Sequence, residues 1–74
     1  MKRSRQPKLF DIVAVLNSPD DADVEVGDVG TVVELLAPDG LEVEFLDRDG
    51  KTSSIATLTT DDVLVLNRER TPVR

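Results

Sequence analysis

The feature that most constrains this chain is a short segment of alternating apolar and acidic residues between two turn sequences. Residues 41–46 read Leu-Glu-Val-Glu-Phe-Leu. Successive side chains of a β-strand point to opposite faces, so Glu42 and Glu44 face water while the apolar residues between them face a core. Residues 37–40 (Ala-Pro-Asp-Gly) have the Pro and Gly of a β-turn, and residues 47–50 (Asp-Arg-Asp-Gly) end in the Gly of a hairpin turn. The pattern predicts a strand between two reversals of the chain.

Similar turn signals recur every 8–12 residues, and no ten-residue stretch has a helical period. A further tight turn is expected at residues 27–30, where two glycines lie three positions apart. The predicted strands are residues 9–16, 31–36, 41–46, 52–58 and 63–66, with one helical turn at 59–62 before the last of them. Five short strands at this spacing predict a small all-β barrel, whose closure would remove the open strand edges.

The predicted domain covers residues 9–66, between flexible tails at 1–8 and 67–74. We expect Val24 and Val26 to dock a polar loop onto it. The predicted core consists of Val13, Val33, Leu35, Val43, Phe45, Ala56, Leu58 and Val63. The last strand, 63–66, is short, so pairing of its edge with that of a second copy is one route to a homodimer.

Charge is distributed unevenly along the chain. The first eight residues contain four cations and no acidic residue, whereas residues 9–67 hold fourteen acidic side chains against Arg48 and Lys51, a net charge of −12. An acidic body repels nucleic-acid phosphate and attracts basic surfaces, although the same excess also favours solubility. The basic start is not followed by an apolar segment of signal-peptide length or by a small-residue cleavage site, so we expect a cytoplasmic protein.

The composition argues against catalysis. The 74 residues include no His, Cys, Trp or Tyr, which removes the commonest general base, the thiol nucleophile and the nitrogen and sulfur ligands of zinc. We therefore expect no catalytic site, no cofactor and no metal. One loop does supply oxygen ligands of the kind calcium prefers, from Asp20, Asp21, Asp23 and Glu25. Its spacing is not that of an EF-hand, so we interpret it as a solvated loop with a turn at Pro19-Asp20.

Two segments carry a resemblance to known proteins. Residues 27–34 (Gly-Asp-Val-Gly-Thr-Val-Val-Glu) and then 41–45 resemble the glycine-turn-strand-strand unit of SH3-like barrels, which KOW segments of ribosomal and transcription proteins share. More closely, residues 9–66 resemble domain-of-unknown-function family 4926, through the segments 9–16, 27–34, 42–45, 49–52 and 57–58. This resemblance implies a five-stranded SH3-like (KOW-like) barrel without an established activity. It also implies a protein paired with a neighbouring small protein, as antitoxins and immunity proteins are.

The predicted function is non-enzymatic binding of another protein, of the antitoxin or immunity type, with a basic surface such as that of a nuclease. The predicted binding residues are Glu34, Glu42, Glu44, Asp47 and Asp49, with Asp28 as a further candidate. An apolar centre is expected from whichever of Leu46, Val32 and Leu64 point outward. One alternative is a KOW-like module that binds nucleic acid through its basic tails. Another is an accessory barrel of a larger enzyme, as in SH3-like domains similar to those of nitrile hydratase.

Overall fold

The computed structural model describes residues 6–20 and 22–66. Most of both predicted tails and Asp21 therefore lie outside the described residues. None of the residues described belongs to a helix long and apolar enough to cross a membrane.

The protein is all-β, with five antiparallel strands in one sheet in the order β4-β3-β2-β1-β5. The strands are β1 (Ile12–Val15), β2 (Val29–Leu36), β3 (Gly40–Leu46), β4 (Thr52–Thr59) and β5 (Val63–Val65), and a 3₁₀ turn (Thr60–Asp62) precedes β5. The predicted class, strand number and helical turn are confirmed. The predicted closure is wrong, since β4 and β5 remain the two edges of the sheet.

The sheet is nevertheless strongly curled. The 3₁₀ turn joins the two edge strands in three residues, which span about 6 Å at roughly 2 Å per residue. Across a flat sheet of five strands spaced about 4.8 Å apart, the edges would be separated by about 19 Å. Because the turn joins the C-terminal end of β4 to the N-terminal end of β5, the sheet must curl until these two strand ends meet. The turn is fixed there because the Leu16 N–H donates to the Asp62 carbonyl oxygen (2.7 Å) and the Asp62 carboxylate accepts from the Thr59 N–H (3.0 Å).

The core lies on the concave face of this curled sheet. Its buried side chains are Val13, Val15, Val24, Val32, Leu41, Val43, Phe45, Ala56, Leu58, Val63 and Val65. All except Val24 lie on strands, and Val24 docks the loop between β1 and β2 onto the core, as expected. The expectation for Val26 is wrong, because its side chain is exposed.

A bulge in β2 corrects the predicted core. Val32 pairs with Val43, but two residues further on Glu34 pairs with Glu42, so Val33 is an extra residue. An extra residue shifts the alternation of side chains by one. Val32, which was a candidate for the surface, is thus fully buried, while Val33 is only half-buried. Leu35 pairs with buried Leu41, near the end of β2, but is 51% exposed.

The first strand is shorter than the predicted 9–16. Phe10 has a φ of 71°, in the left-handed region that is unfavourable for a bulky residue. Its N–H still donates to the Val32 carbonyl oxygen (2.7 Å), and the Lys8 N–H donates to the Asp11 carboxylate (2.8 Å). The chain therefore enters the sheet through a turn, and the Phe10 ring remains exposed.

Candidate protein-binding face

Three of the predicted binding residues lie side by side on the convex face of the sheet. Glu34 of β2 is directly opposite Glu42 of β3, and Glu44 follows Glu42 on the same face. Directly opposite residues of an antiparallel pair have Cβ atoms about 4.5–5.5 Å apart, and like charges there are destabilising. We call Glu34, Glu42 and Glu44 the acidic trio.

Threonines of β4 orient two members of the trio. The Thr57 hydroxyl donates to Glu42 Oε2 at 2.8 Å, across the pair that these residues form. The Thr52 hydroxyl donates to Glu44 Oε2. Both carboxylates are thereby drawn towards β4, while Glu34 is exposed on β2. The trio is a set of partly oriented anions on rigid strands.

The remaining predicted residues lie in turns. Asp47 accepts hydrogen bonds from the Asp49 N–H (2.8 Å) and the Lys51 N–H (3.0 Å) through Oδ1. Asp47 therefore stabilises the β3–β4 hairpin, and Asp49 is exposed at the hairpin tip. Asp28 has a similar local contact, since its carboxylate accepts from the Glu25 N–H at 2.9 Å. The structure does not bring these three together with the trio on the sheet.

Beside the trio, the convex face has a row of apolar side chains. Ala14 of β1 is paired with Leu64 of β5 on one side and with Val29 of β2 on the other. Thr31 of β2 is opposite Glu44 of β3. Two residues earlier in β2 and two residues later in β3, the same antiparallel register places Val29 beside Leu46. We call Leu64, Ala14, Val29 and Leu46 the apolar row.

The exposure of this row is large for aliphatic side chains. Leu46 is 57% exposed, Val29 is 52% exposed and Leu64 is 38% exposed. Of the three candidates for an apolar centre, Leu46 and Leu64 are exposed and Val32 is buried. Val29 was missed because the two flanking glycines favoured a turn, and Ile55, exposed next to Glu44, was missed because β4 is poor in apolar residues. An apolar row beside oriented anions is an arrangement suited to contact with a protein surface.

The other predicted sites have weaker support. Among residues 6–20 and 22–66, no three acidic side chains are grouped as metal ligands would be. The Ala22 N–H donates to the Pro19 carbonyl oxygen (3.1 Å), which closes a turn where one was expected. The described cations of the body, Arg48 and Lys51, lie together at the β3–β4 turn. The cations on which nucleic-acid binding was predicted to depend lie mostly at residues 1–5 and 67–74, outside the described residues.

A family model described as Domain of unknown function (DUF4926) matches residues 9–65, which is more than three quarters of the 74-residue chain. The chain belongs to this family. The matched DUF4926 region runs from just before Phe10 to the end of β5, so it includes the acidic trio and the apolar row. No curated protein and no solved structure was found to match the chain. The DUF4926 description assigns no activity, so the function has to be argued from the surface itself.

Proposed function

We propose that this DUF4926 protein is a small, non-enzymatic protein-binding module that holds a basic partner protein on the convex face of its sheet. The observation that carries the proposal is the exposed apolar row immediately beside the acidic trio. Binding free energy in protein interfaces is concentrated in a few well-packed apolar or aromatic residues, surrounded by polar contacts that exclude water. The row supplies the apolar centre, and the trio supplies part of the polar rim.

The charge of the body supports a basic partner. Residues 9–67 have a net charge of −12, and such a field speeds the approach of a cationic protein and disfavours acidic ones. The Glu34–Glu42 pair places two anions opposite each other, where they destabilise the free protein. A cationic side chain of a partner would relieve that repulsion, so the pair contributes more to the complex than to the fold.

Within this proposal, the antitoxin or immunity type is the specific role that fits best. A small acidic protein that covers the basic active surface of a nuclease needs no catalytic groups of its own. It needs a rigid face with an apolar centre and anionic surroundings. In the part of the chain that the structure describes, no polar or charged residue is buried, so none of the acidic side chains there is enclosed in the core.

The proposal is tested by isolating the partner under native conditions with the full chain as bait. Wild-type protein should recover one protein in stoichiometric amount, identified by mass spectrometry as having an excess of Lys and Arg. The double variant Val29→Ser/Leu46→Ser should lose it, because both side chains lie in the apolar row. Leu35→Ser is a matched control, since Leu35 is similarly exposed (51%) but pairs with buried Leu41, on the opposite face of the sheet from the apolar row.

Three results would overturn the proposal. One is retention of the partner by the double variant. The second is recovery of nucleic acid in place of a protein, which would support a module that binds through its basic tails. The third is recovery of a larger enzyme without a basic surface, which would support an accessory domain.

A further inference from the structure

The free edge of β4 differs from that of β5 in how it is protected against pairing with another chain. Proteins usually guard edge strands by making them short or by placing Lys or Pro in them. β5 has only three residues, Val63–Val65. β4 has eight, Thr52–Thr59 (Thr-Ser-Ser-Ile-Ala-Thr-Leu-Thr), with neither charge nor Pro. Its only irregularity is a register shift near Ser53, at the hairpin end.

A groove of about 330 Å³ runs along this edge. It is lined by Ser54, Ile55, Ala56 and Thr57 of β4 and by Ala22 and Asp23 of the β1–β2 loop. Four consecutive strand residues have side chains on alternate faces, so all four line one groove only if it follows the backbone edge. Ala22 packs against the core, which holds the loop wall in place. We call this the β4 groove.

The register shows which backbone groups face the β4 groove. The Thr60 N–H donates to the Asp39 carbonyl oxygen (3.0 Å), and the next pair along is Gly40–Thr59. Hydrogen-bonded and non-hydrogen-bonded pairs alternate along an antiparallel ladder. The N–H and C=O groups of Ile55 and Thr57 therefore point away from β3. The outward N–H of Thr59, by the same alternation, is already bound by the Asp62 carboxylate.

We propose that the β4 groove binds an extended, basic segment of another protein, which adds to the sheet as a sixth strand. This goes beyond the proposed function because it concerns a different surface and a different mode of binding. Main-chain hydrogen bonds to Ile55 and Thr57 would provide the affinity, as in other cases of strand addition. The uncharged side chains of β4 allow the backbones to approach.

Charge selects the occupant. Asp23 lies on the loop wall of the groove. On the convex side, Glu42 and Glu44 are hydrogen-bonded to Thr57 and Thr52 of β4. An incoming strand thus has carboxylates along both sides, so Lys or Arg at alternate positions is favoured. A second copy of this chain would bring another strongly acidic body to the same edge, which is unfavourable.

The test uses the full chain and a blocked peptide of alternating Lys and Val, as long as β4. Hydrogen exchange followed by NMR should show the Ile55 and Thr57 amides slowed by about tenfold or more at saturation. Val65 is the internal control, because the same alternation points its N–H outward from β5, and its exchange should be unchanged. A peptide with Glu in place of Lys should produce no protection.

Two variants separate the backbone contact from the side chain. Thr57→Pro removes the outward N–H without removing a bond to β3, and Pro is tolerated at such edge positions. Thr57→Val removes the Thr57 hydroxyl, as Thr57→Pro also does, but keeps the backbone N–H. The proline variant should bind the Lys–Val peptide about tenfold or more weakly than the valine variant. If the proline variant fails to fold, the exchange pattern of the wild-type protein still decides the matter.

Unchanged exchange at Ile55 and Thr57 with the Lys–Val peptide would overturn the inference, as would equal protection by the Glu–Val peptide. Protection that appears on concentrating the protein alone would identify a second copy as the occupant and would overturn it too. None of these results depends on the apolar row, so failure here is distinguishable from failure of the proposed function.

Discussion

Gly30 is the residue at which the sheet has least room for a side chain. A Cβ atom built there would lie 2.7 Å from the Glu44 carbonyl oxygen and 2.8 Å from Cδ1 of Phe45. The nearest atom belongs to the backbone of β3, so the strand itself would have to move. We expect Gly30→Ala to lower the free energy of unfolding by about 1–3 kcal/mol, measured by urea denaturation.

The adjacent variant Thr31→Ala is the control for this prediction. Thr31 points to the opposite face of β2 and is only half-buried, so its loss should change stability by less than about 1 kcal/mol. Equal effects of the two substitutions would contradict the steric account of Gly30.

At the Glu34–Glu42 pair, in contrast, we expect a substitution to increase the stability of the protein. Glu34→Gln removes one of two like charges directly opposite each other, and should raise the free energy of unfolding by about 0.2–1 kcal/mol. The gain should shrink in 1 M salt, where the screening length falls to about 3 Å. Both effects are measured by urea denaturation at low and high salt.

As a control, Glu34→Gln is also introduced into a protein that already has the Glu42→Gln substitution. If the gain comes from this pair, it should disappear when Glu42 is already neutral. An equal gain in both backgrounds would show that Glu34→Gln relieves only the general excess of negative charge.

At the scale of elements, the β3–β4 hairpin shows a predicted binding residue with a structural role. Asp47 Oδ1 accepts from two backbone N–H groups. Asp47→Ala removes both bonds and should lower the free energy of unfolding by about 1–2 kcal/mol. Asp47→Asn keeps an acceptor oxygen at Oδ1, so its free energy of unfolding should fall by less than half as much as that of Asp47→Ala. Denaturation in urea distinguishes the two, and equal losses would mean that the carboxylate charge is what matters.

The strand β3 shows what the sequence predicts well. Turn residues at 37–40 and 47–50 fix the ends of β3, and alternation between them assigns Val43 and Phe45 to the core. The opposition of Glu34 and Glu42 also follows once the turn at 37–40 sets the register. For this reason the acidic trio was predictable, and the structure brings its members together.

β2 shows why the prediction failed elsewhere. Alternation alone places Val33 and Leu35 in the core. The bulge at Val33 reverses which side chains of the preceding part of β2 face the core, so Val32 is buried. A bulge leaves no signature in a run such as Val-Val-Glu-Leu-Leu, since the two adjacent valines are each compatible with either face. Val29 was missed for a different reason. Its flanking glycines suggested a turn, whereas Gly30 serves close packing.

At the scale of the molecule, curling of a single sheet explains how so short a chain has a core and still leaves free edges. The 3₁₀ turn brings the ends of β4 and β5 together, and Val24 fills the side of the core through the β1–β2 loop. The spacing of the turns predicts the number of strands, but it does not determine whether β4 and β5 pair to close the sheet.

The distribution of apolar and acidic residues over the sheet and its loops is also a property of the whole molecule. The apolar row and the acidic trio lie on one face of the sheet, and the other acidic residues that the structure describes lie in loops, hairpin turns and the 3₁₀ turn. We therefore predict that the partner contacts one continuous surface on the convex face and does not contact every acidic residue.

The measurement that tests this claim most directly is methyl cross-saturation NMR of the labelled protein bound to its isolated partner. Saturation of the partner should pass to the methyl groups of Val29, Leu46 and Leu64, which form the apolar row with Ala14. The methyl groups of Leu9 and Leu35, which are also exposed, serve as controls and should be unaffected. Saturation at Leu9 and Leu35 with none on the apolar row would contradict the account.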